Sequence, residues 1–521
     1  MKDTTTSVYN FEKLRREGYL YVDKTEYIWQ LINPAGESYF LSRPRRFGKS
    51  LTISTLKAVF EGKKELFKGL AIYDKPYDWK PYPVIHLSFG DYNPTNNTPG
   101  ELNAYLLDKV LVIAEQHSVN LPPTKDPSSA FGKMIDKLAE RGGQVVILVD
   151  EYDKPILDNI TNPHIQEIQR CLKGFYSVLK DRNSQERLLF VTGVSKFCHV
   201  SLFSDLNNLT DITMNAKYAA MLGYTQSEFE FYFADRIEQT AKLLNMPKEQ
   251  LLPEIKAWYD GYRFEETAES VYNPVSLASF FGNGGKFNNY WFSTGTPSFL
   301  LELVKKTRFD FDNALTKPVS AMAFNAFEID KIDPLTLLLQ TGYLTIKSMV
   351  KKYNMPWYWL DFPNREVSFS FNTSLVNAYT RKSDNSVVNF CEQLADAMDS
   401  GDVKQLRKTM EVFFAGIPYD VHHKNESNFQ NIFFALFRLL GYYIKAESQT
   451  NDGRIDAVAE TEKFVFLFEF KLDKDDTALS QIKDKKYFKQ YELSQKKIFL
   501  NGVAFDTETG QIADWQTEEV R

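Results

Sequence analysis

Along the first 200 residues, short apolar runs alternate with stretches whose apolar positions recur at helical spacing. YFLSRPRRFGKSLTIST, from Tyr39 to Thr55, begins as an apolar strand, passes through a short loop and leaves as a helix. YPVIHLSFG (82–90) reads as a buried strand ending in glycine. In QVVILVDEYD (144–153) five successive apolar residues stop abruptly at acids, the pattern of a buried strand that reaches the edge of a parallel sheet. ERLLFVTGVSKF (186–197) is a third run of this kind. Between them, Pro99 to Ala139 is helical in pattern, broken by the turn-rich LPPTKDPSS. This alternation predicts an α/β fold, a parallel sheet with helices on both faces.

The remainder is more mixed. From Ser201 to about Phe281 the pattern is helical, clearest in GYTQSEFEFYFADRI and EQLLPEIKAWYDGYRF. Asn288 to Tyr379 mixes helix with short strands, YLTIKSM and EVSFSFN among them, and Asn389 to Ala415 is helical again. SNFQNIFFALFRLLGYYI predicts an apolar-rich helix, GRIDAVAE and KFVFLFEFKLD two strands, and DDTALSQIKDKKYFKQY a further helix. Residues 1–38 read as a lead-in whose YVDKTEYIWQLI is an amphipathic helix with Asp23 as N-cap. A chain of 521 residues exceeds one core, and these shifts divide it into a sheet core (1–200), a helical lid (201–287), a mixed connector (288–410) and a C-terminal α/β domain (411–521).

Composition narrows the class. Apolar residues at 43% and charged residues at 25% are those of a soluble globular protein. The three cysteines lack CxxC spacing, which excludes a disulfide framework and a zinc ribbon and agrees with a reducing cytoplasm. No apolar leader segment opens the chain, and no run approaches the roughly 18 residues of a membrane helix, so a cytoplasmic protein without a membrane partner is expected. A net charge of −6 argues against wholesale nucleic-acid coating but leaves room for a local basic groove. Arg43, Arg45, Arg46 and Lys49 cluster at the loop, and Lys483, Lys485, Lys486 and Lys489 near the end.

Strand, loop, Gly-Lys-Ser and helix form an arrangement that cradles nucleotide phosphates. Backbone N–H groups from Arg45, Arg46, Phe47, Gly48, Lys49, Ser50 and Leu51 would face the anion, Lys49 would reach the terminal phosphates, and the Ser50 hydroxyl would hold Mg²⁺. The pattern calls for glycine at position 43, where this chain has arginine. Arg43, Arg45 and Arg46 either add charge to a phosphate nest or face solvent or a partner. About a hundred residues on, Asp150 would complete the Mg²⁺ shell and Glu151 would polarise the attacking water. The third strand ends near Ser195, a candidate sensor of the γ-phosphate. The implied cofactors are ATP and Mg²⁺.

YVDKTEYI, FLSRPRRFGKSLTISTL, VVILVDEYDKPIL and FVTGVSKFCHVSLFSDLNNLTDI together resemble the bacterial AAA-ATPase-like family, and the likeness continues through WYDGYRF, VYNPVSL, LLLQTGYLTI and FPNREV. The resemblance implies a P-loop ATPase core of the additional-strand, catalytic-glutamate type, and makes Arg43 a family trait. It also offers Arg263, in WYDGYRF, as a residue reaching the nucleotide from the lid; a structural arginine beside Asp260 is the plainer reading.

At the other end, Glu469 and Lys471 flank Phe470 in FVFLFEFKL, so they share one face of a strand while Phe470 takes the other. Asp456, in the preceding strand, can join them through a hairpin. Asp456 and Glu469 would bind Mg²⁺, with Mn²⁺ as a substitute, and Lys471 would orient the water that attacks phosphorus. Glu426 and Gln481 are further candidates for the same pocket. This D…ExK set resembles the PD-(D/E)XK nuclease superfamily, which implies DNA or RNA as substrate. An inactive nuclease fold is the competing reading, making the chain a nucleotide-controlled switch that binds nucleic acid or protein without cutting. Assembly into a homo-oligomer stays open. His422-His423 and Cys198-His199 lack a third partner at metal-site spacing and are read as ordinary residues. The aromatic run MPWYWLDF could stack on bases, but core packing is the favoured reading.

Overall fold

The computed structural model describes the whole chain except residues 1, 34, 161, 197–201, 204, 205, 207, 293–297, 308, 326–332, 418–425, 442–444, 449–456, 473–477, 486, 492, 493, 507, 510 and 521. Two compact units emerge. One comprises Met1–Gly295 and Ser320–Asn364, the other Thr296–Val319 and Arg365–Arg521. Among the described residues, no helix is long and apolar enough to cross a membrane.

The first unit is built on five parallel strands, β1 (Glu37–Ser42), β2 (Val84–Ser88), β3 (Val145–Asp150), β4 (Glu186–Gly193) and β5 (Leu209–Asp211). Their order is β2-β3-β4-β1-β5. The strand that feeds the phosphate loop, β1, is therefore separated from the strand that ends in Asp150, β3, by the inserted β4. That insertion is the additional strand implied by the resemblance. All six residues of β3 and all eight of β4 are buried, as two-sided covering by helices requires.

Helices α1 (Phe11–Arg16), α2 (Thr25–Ile32), α3 (Lys49–Phe60), α4 (Pro99–Gln116), α5 (Pro127–Gly142), α6 (Lys154–Leu157) and α7 (Ile165–Ser177) belong to this sheet region. Helix α4 opens on a capping box, Thr98 with Glu101, and α5 on Asp126, each followed by proline. Asp23 sits one residue too early to cap α2. It accepts from Thr25 N and Thr25 Oγ1, while its second oxygen accepts from Ala71 N. Beyond the sheet, helices Gln226–Tyr232, Lys248–Tyr259 and Pro274–Gly282 close around Phe229, Phe233, Tyr259, Tyr272 and Phe280. A short strand β6 (Val319–Ser320) precedes the hairpin β7 (Thr345–Lys352) and β8 (Met355–Asp361), whose strands pair antiparallel.

In the second unit, β9 (Lys445–Ser448), β10 (Ala457–Glu460), β11 (Phe464–Leu472), β12 (Lys497–Phe505) and β13 (Ile512–Glu519) form a mixed sheet in the order β13-β12-β11-β10-β9. Only the β11–β12 pair is parallel; the other three pairs are antiparallel. EVSFSFN, expected to be a strand, lies in the helix Arg365–Thr380. Its Val-Ser-Phe-Ser-Phe alternation imitates a strand over a few residues. Over the full segment, Val367, Phe371, Leu375 and Tyr379 recur at helical spacing and are buried.

Glu186 begins β4 with its side chain buried, and Oε1 has no hydrogen-bond partner. Burial pushes its carboxyl from the usual 4.5 up to about 7, with a bond to Ser38 opposing the rise. Because the folded protein holds this proton more tightly than the unfolded chain, the associated stability is fully present below about pH 4.5 and is lost as pH rises through 7. Denaturant midpoints measured across that window should fall, with Glu186 contributing up to about 3 kcal/mol. Glu186→Gln should flatten the fall; an unchanged slope would place its origin elsewhere.

Candidate active sites

The candidate phosphate loop runs from Arg43 to Gly48, between the end of β1 and the start of α3. Its curvature comes from Arg46 at φ 67° and Gly48 at φ 93°. Position 43 has no left-handed backbone, so it does not need glycine. The Arg43 side chain is completely buried. One terminal nitrogen donates to the carbonyls of Ser42 (2.9 Å) and Thr213 (2.7 Å), the other to Tyr218 O (3.1 Å), and the guanidinium lies 4.2 Å from the Phe264 ring centre. Burial brings its pKa down to about 9, opposed by Asp211. Neither expectation for Arg43 holds: the group faces neither phosphate nor solvent, and braces the loop from behind.

Arg45 and Arg46 are exposed beside the loop. Phe47 contributes backbone to the cavity, but its ring turns inward onto Tyr262 (4.7 Å) and Phe264 (5.4 Å). Gly48 caps α3, and Lys49, Ser50 and Leu51 form the first turn, where amide N–H groups lack helical acceptors. Lys49 is buried, its Nζ donating to Arg43 O (2.9 Å) and Pro44 O (2.8 Å), and burial lowers its pKa against the pull of Asp150 and Glu151.

Asp150 ends β3 with 3% of its surface exposed. Desolvation raises its pKa, while a hydrogen bond with Ser50 pulls it down. Its Oδ1 is buried without a hydrogen-bond partner. A serine hydroxyl beside a carboxylate oxygen with spare acceptor capacity is a donor set suited to a hard cation, so the residues fit Mg²⁺. Glu151 follows at φ 54°, a left-handed conformation that costs a non-glycine residue roughly 1–2 kcal/mol. The turn carries its carboxylate over Gly90, where an added Cβ would meet Oε2 at 3.3 Å.

Loop, Asp150 and Glu151 share one cavity of ≈ 920 Å³. Ser195 is not part of its lining. It is buried, and its hydroxyl donates to Asp153 Oδ2 at 2.7 Å, as does its own amide. The expected γ-phosphate sensor is thus engaged in holding the third acid of the DEYD run. Asp153 itself lines the cavity, and the sequence reading passed over it although the run displayed it. The N-terminal segment was also missed: Val8, Tyr9, Leu20, Tyr21 and Val22 wall the same cavity, facing Leu222 and Val275. Lys24 anchors this segment by donating to Ala220 O (2.8 Å) and Glu228 Oε2 (2.6 Å). Arg263 is absent from the lining; its amide donates to Thr345 Oγ1 (2.8 Å) and its guanidinium to Lys347 O (3.1 Å).

In the second unit Glu469 continues a buried row, Val465 and Leu467, along one face of β11, beneath the helix Ala478–Lys485. Phe470 takes the opposite face and stacks on Phe433 at 4.0 Å. Glu469 is 2% exposed, and its Oε1 lies 3.2 Å from Nζ of the more exposed Lys471. Gly502 pairs with Glu469, and an added Cβ there would stand 2.7 Å from Leu479 N, so the helix start abuts the sheet beside the acid. Glu426 opens the helix Glu426–Leu440, and Gln481 falls within Ala478–Lys485. Asp456, His422, His423, Cys198 and His199 lie outside the described residues. Among the described residues, no group of three His, Cys, Asp or Glu is placed to hold a metal.

Comparison with known proteins agrees with both ends. The predicted AAA-ATPase family matches residues 5–203, and the PD-(D/E)XK nuclease superfamily matches residues 424–515. Over its whole length the chain is similar to an uncharacterized protein in the vnfD 5′ region of Azotobacter chroococcum mcd 1. The two are 38% identical over 534 residues, spanning 100% of this chain and 99% of the other.

Arg43→Gly tests the bracing role, since it restores the usual glycine while removing three hydrogen bonds and a ring contact. Chemical denaturation should show a loss of about 2–4 kcal/mol. A neutral or stabilising result would make Arg43 a mere stand-in for glycine.

Proposed function

Because the chain belongs to the predicted AAA-ATPase family and carries a PD-(D/E)XK nuclease-superfamily domain toward its C-terminal end, we propose that it binds and hydrolyses ATP in the first unit and cleaves DNA or RNA in the second. The observation that carries the ATP half is the convergence of Lys49, Ser50, Asp150 and Glu151 on one cavity, with a buried Asp150 oxygen left unpartnered.

In this reading the amides of Gly48, Lys49, Ser50 and Leu51 bind phosphate oxygens, and Lys49 exchanges its two loop carbonyls for the terminal phosphates. Ser50 and Asp150 hold Mg²⁺, which when bound neutralises charge on the transferring phosphoryl group. Glu151 accepts a hydrogen bond from the attacking water and aligns it. Asp153 keeps the Gly193–Ser195 turn in place behind these groups. The reading sets the protein in the cytoplasm, where ATP and Mg²⁺ are present.

For the second unit, the support is an acid and a lysine in contact at the end of an apolar strand row, a costly placement for a carboxylate without a task. Asp456 and Glu469 would hold Mg²⁺ or Mn²⁺, and Lys471 would orient the water that attacks phosphorus.

Phosphate release tests the first half. Glu151→Gln should keep binding of a fluorescent ATP analogue and lose roughly 10²–10⁴-fold in turnover; unchanged turnover would remove Glu151 from its role. Lys49→Ala should weaken analogue binding itself. For the second half, Mg²⁺- or Mn²⁺-dependent cleavage of DNA or RNA should vanish in both Asp456→Ala and Lys471→Ala. Binding without cleavage by the wild type would favour the switch reading.

A further inference from the structure

The hairpin β7–β8 takes no part in either site described above, and its two faces differ. On β8, Tyr358 and Leu360 are buried, the Tyr358 ring lying 5.7 Å from Phe324 and its hydroxyl donating to Glu266. Trp357 and Trp359 alternate with them and are partly exposed. The register sets Ser348 opposite Trp359, Val350 opposite Trp357 and Lys352 opposite Met355. One face of the hairpin therefore presents two indoles two positions apart, with Lys352 Nζ 5.5 Å from the Trp357 ring centre. At the tip, Tyr353 and Asn354 both have positive φ, 51° and 61°, the pattern of a tight two-residue turn, and Tyr353 is 93% exposed. Lys351 near the tip is exposed on the opposite face, across from Pro356, whereas Lys347 is held at the root by donating to Pro363 O (3.0 Å). Between Thr345 and Leu360 the sequence TIKSMVKKYNMPWYWL holds three lysines and no acid, in a chain whose net charge is −6.

The root of the hairpin is tied to the phosphate loop. Arg263 exchanges hydrogen bonds with Thr345, donating its amide to Oγ1 (2.8 Å) and accepting from that hydroxyl (3.3 Å), and its guanidinium donates to Lys347 O. The residues on either side of it, Tyr262 and Phe264, are those that grip Phe47 and Arg43. Just before β7, Gly342 at φ 86° lies so close to Pro44 that an added Cβ would stand 2.5 Å from its Cγ, and Gln340 accepts from Lys196 N beyond β4. Hairpin and loop thus share a short, packed joint.

We propose that the hairpin is a platform for single-stranded nucleic acid, stacking bases on Trp357 and Trp359 and drawing phosphates to Lys352 beside them and Lys351 near the tip, and that its occupancy reaches the phosphate loop through Arg263. Charge complementarity and paired aromatic faces select this partner: an indole platform needs bases whose faces are free, which a duplex hides. The lysines alone would bind any polyanion. The coupling rests on the ATPase reading above; the strand-binding surface does not.

The binding arm uses the full chain in chelator, so that neither hydrolysis nor cleavage is required. A labelled oligothymidylate is titrated and its anisotropy followed. The wild type should bind with an affinity that falls as salt rises, and more tightly than it binds a duplex. Trp357→Ala with Trp359→Ala should weaken binding roughly ten- to a hundredfold, and Lys351→Glu with Lys352→Glu should flatten the salt dependence. An ATP analogue, bound by the same variants, reports that the fold has survived. Wild-type affinity in the tryptophan variant, equal affinity for duplex, or no binding by the wild type would overturn the platform.

For the coupling, oligothymidylate should raise phosphate release by the wild type in Mg²⁺. Arg263→Met, and Thr345→Val in the same joint, should bind the strand as before and lose the increase. Stimulation that survives in both variants, or is missing in the wild type, would overturn the coupling. Absence of phosphate release under every condition would instead refute the ATPase reading and leave the binding result standing.

Discussion

The guanidinium of Arg43 determines how the loop beside the cavity is held. A charge with no solvent contact is costly unless its donors are met. Here three backbone carbonyls, an aromatic face and the field of Asp211 meet most of it. Those carbonyls come from the end of β1 and from residues 213–218, and the ring comes from position 264. A single side chain therefore joins the start of the phosphate loop to two distant stretches of chain. With Phe47 seated between Tyr262 and Phe264, the loop is fixed from behind while Arg45 to Gly48 line the cavity. Backbone flexibility, which glycine would supply at this position, is replaced by packing.

That arrangement explains where reading the sequence succeeded and where it stopped. VVILVD announced itself, because a fully buried parallel strand must be apolar throughout and must end where the sheet edge meets solvent. The gathering of Lys49, Ser50, Asp150 and Glu151 around one cavity was legible for the same reason: they sit at strand and helix ends, and their order follows from the chain. Arg43 was not legible, since its partners lie about 170 to 220 residues away and no local pattern encodes them. Ser195 likewise has its partner 42 residues away and lies outside the cavity lining. The end of β4 does approach the cavity, but Asp153, two residues past Glu151, reaches the Ser195 hydroxyl first. EVSFSFN failed on range, because a few alternating residues cannot be told from one side of a helix until the next turn is included.

The three acids at the end of β3 and just beyond it divide their work by environment. Asp150 is nearly fully buried and pairs with Ser50, Glu151 is turned outward by a left-handed residue, and Asp153 is spent on backbone and hydroxyl donors from the neighbouring strand's end. Desolvation raises the pKa of both Asp150 and Asp153, so each would gain from a nearby positive charge. Lys49 is that charge in the structure, itself pushed down by burial. Lys49 and the carboxylates of Asp150 and Asp153 favour one another's charged forms, the two carboxylates oppose each other, and a divalent cation at Ser50 and Asp150 would act in the same direction as Lys49.

The second unit repeats the principle on a different sheet. Glu469 is placed by an apolar row that must be buried, Val465 and Leu467, and by a glycine opposite it that allows a helix to start hard against the strand. The hairpin β7–β8 inverts the arrangement, since alternation there buries Tyr358 and Leu360 and leaves the indoles of Trp357 and Trp359 partly exposed. In all three places the periodicity of a strand decides which side chains are available for chemistry, and the apolar half of each strand supplies the rigidity. What differs is the joint to the rest of the chain. For the hairpin it is Arg263, which lies within Tyr262 to Phe264, and for the loop it is Arg43, which packs on Phe264 of the same stretch. A segment that touches both the loop and the hairpin occupies the position from which a change at one would reach the other.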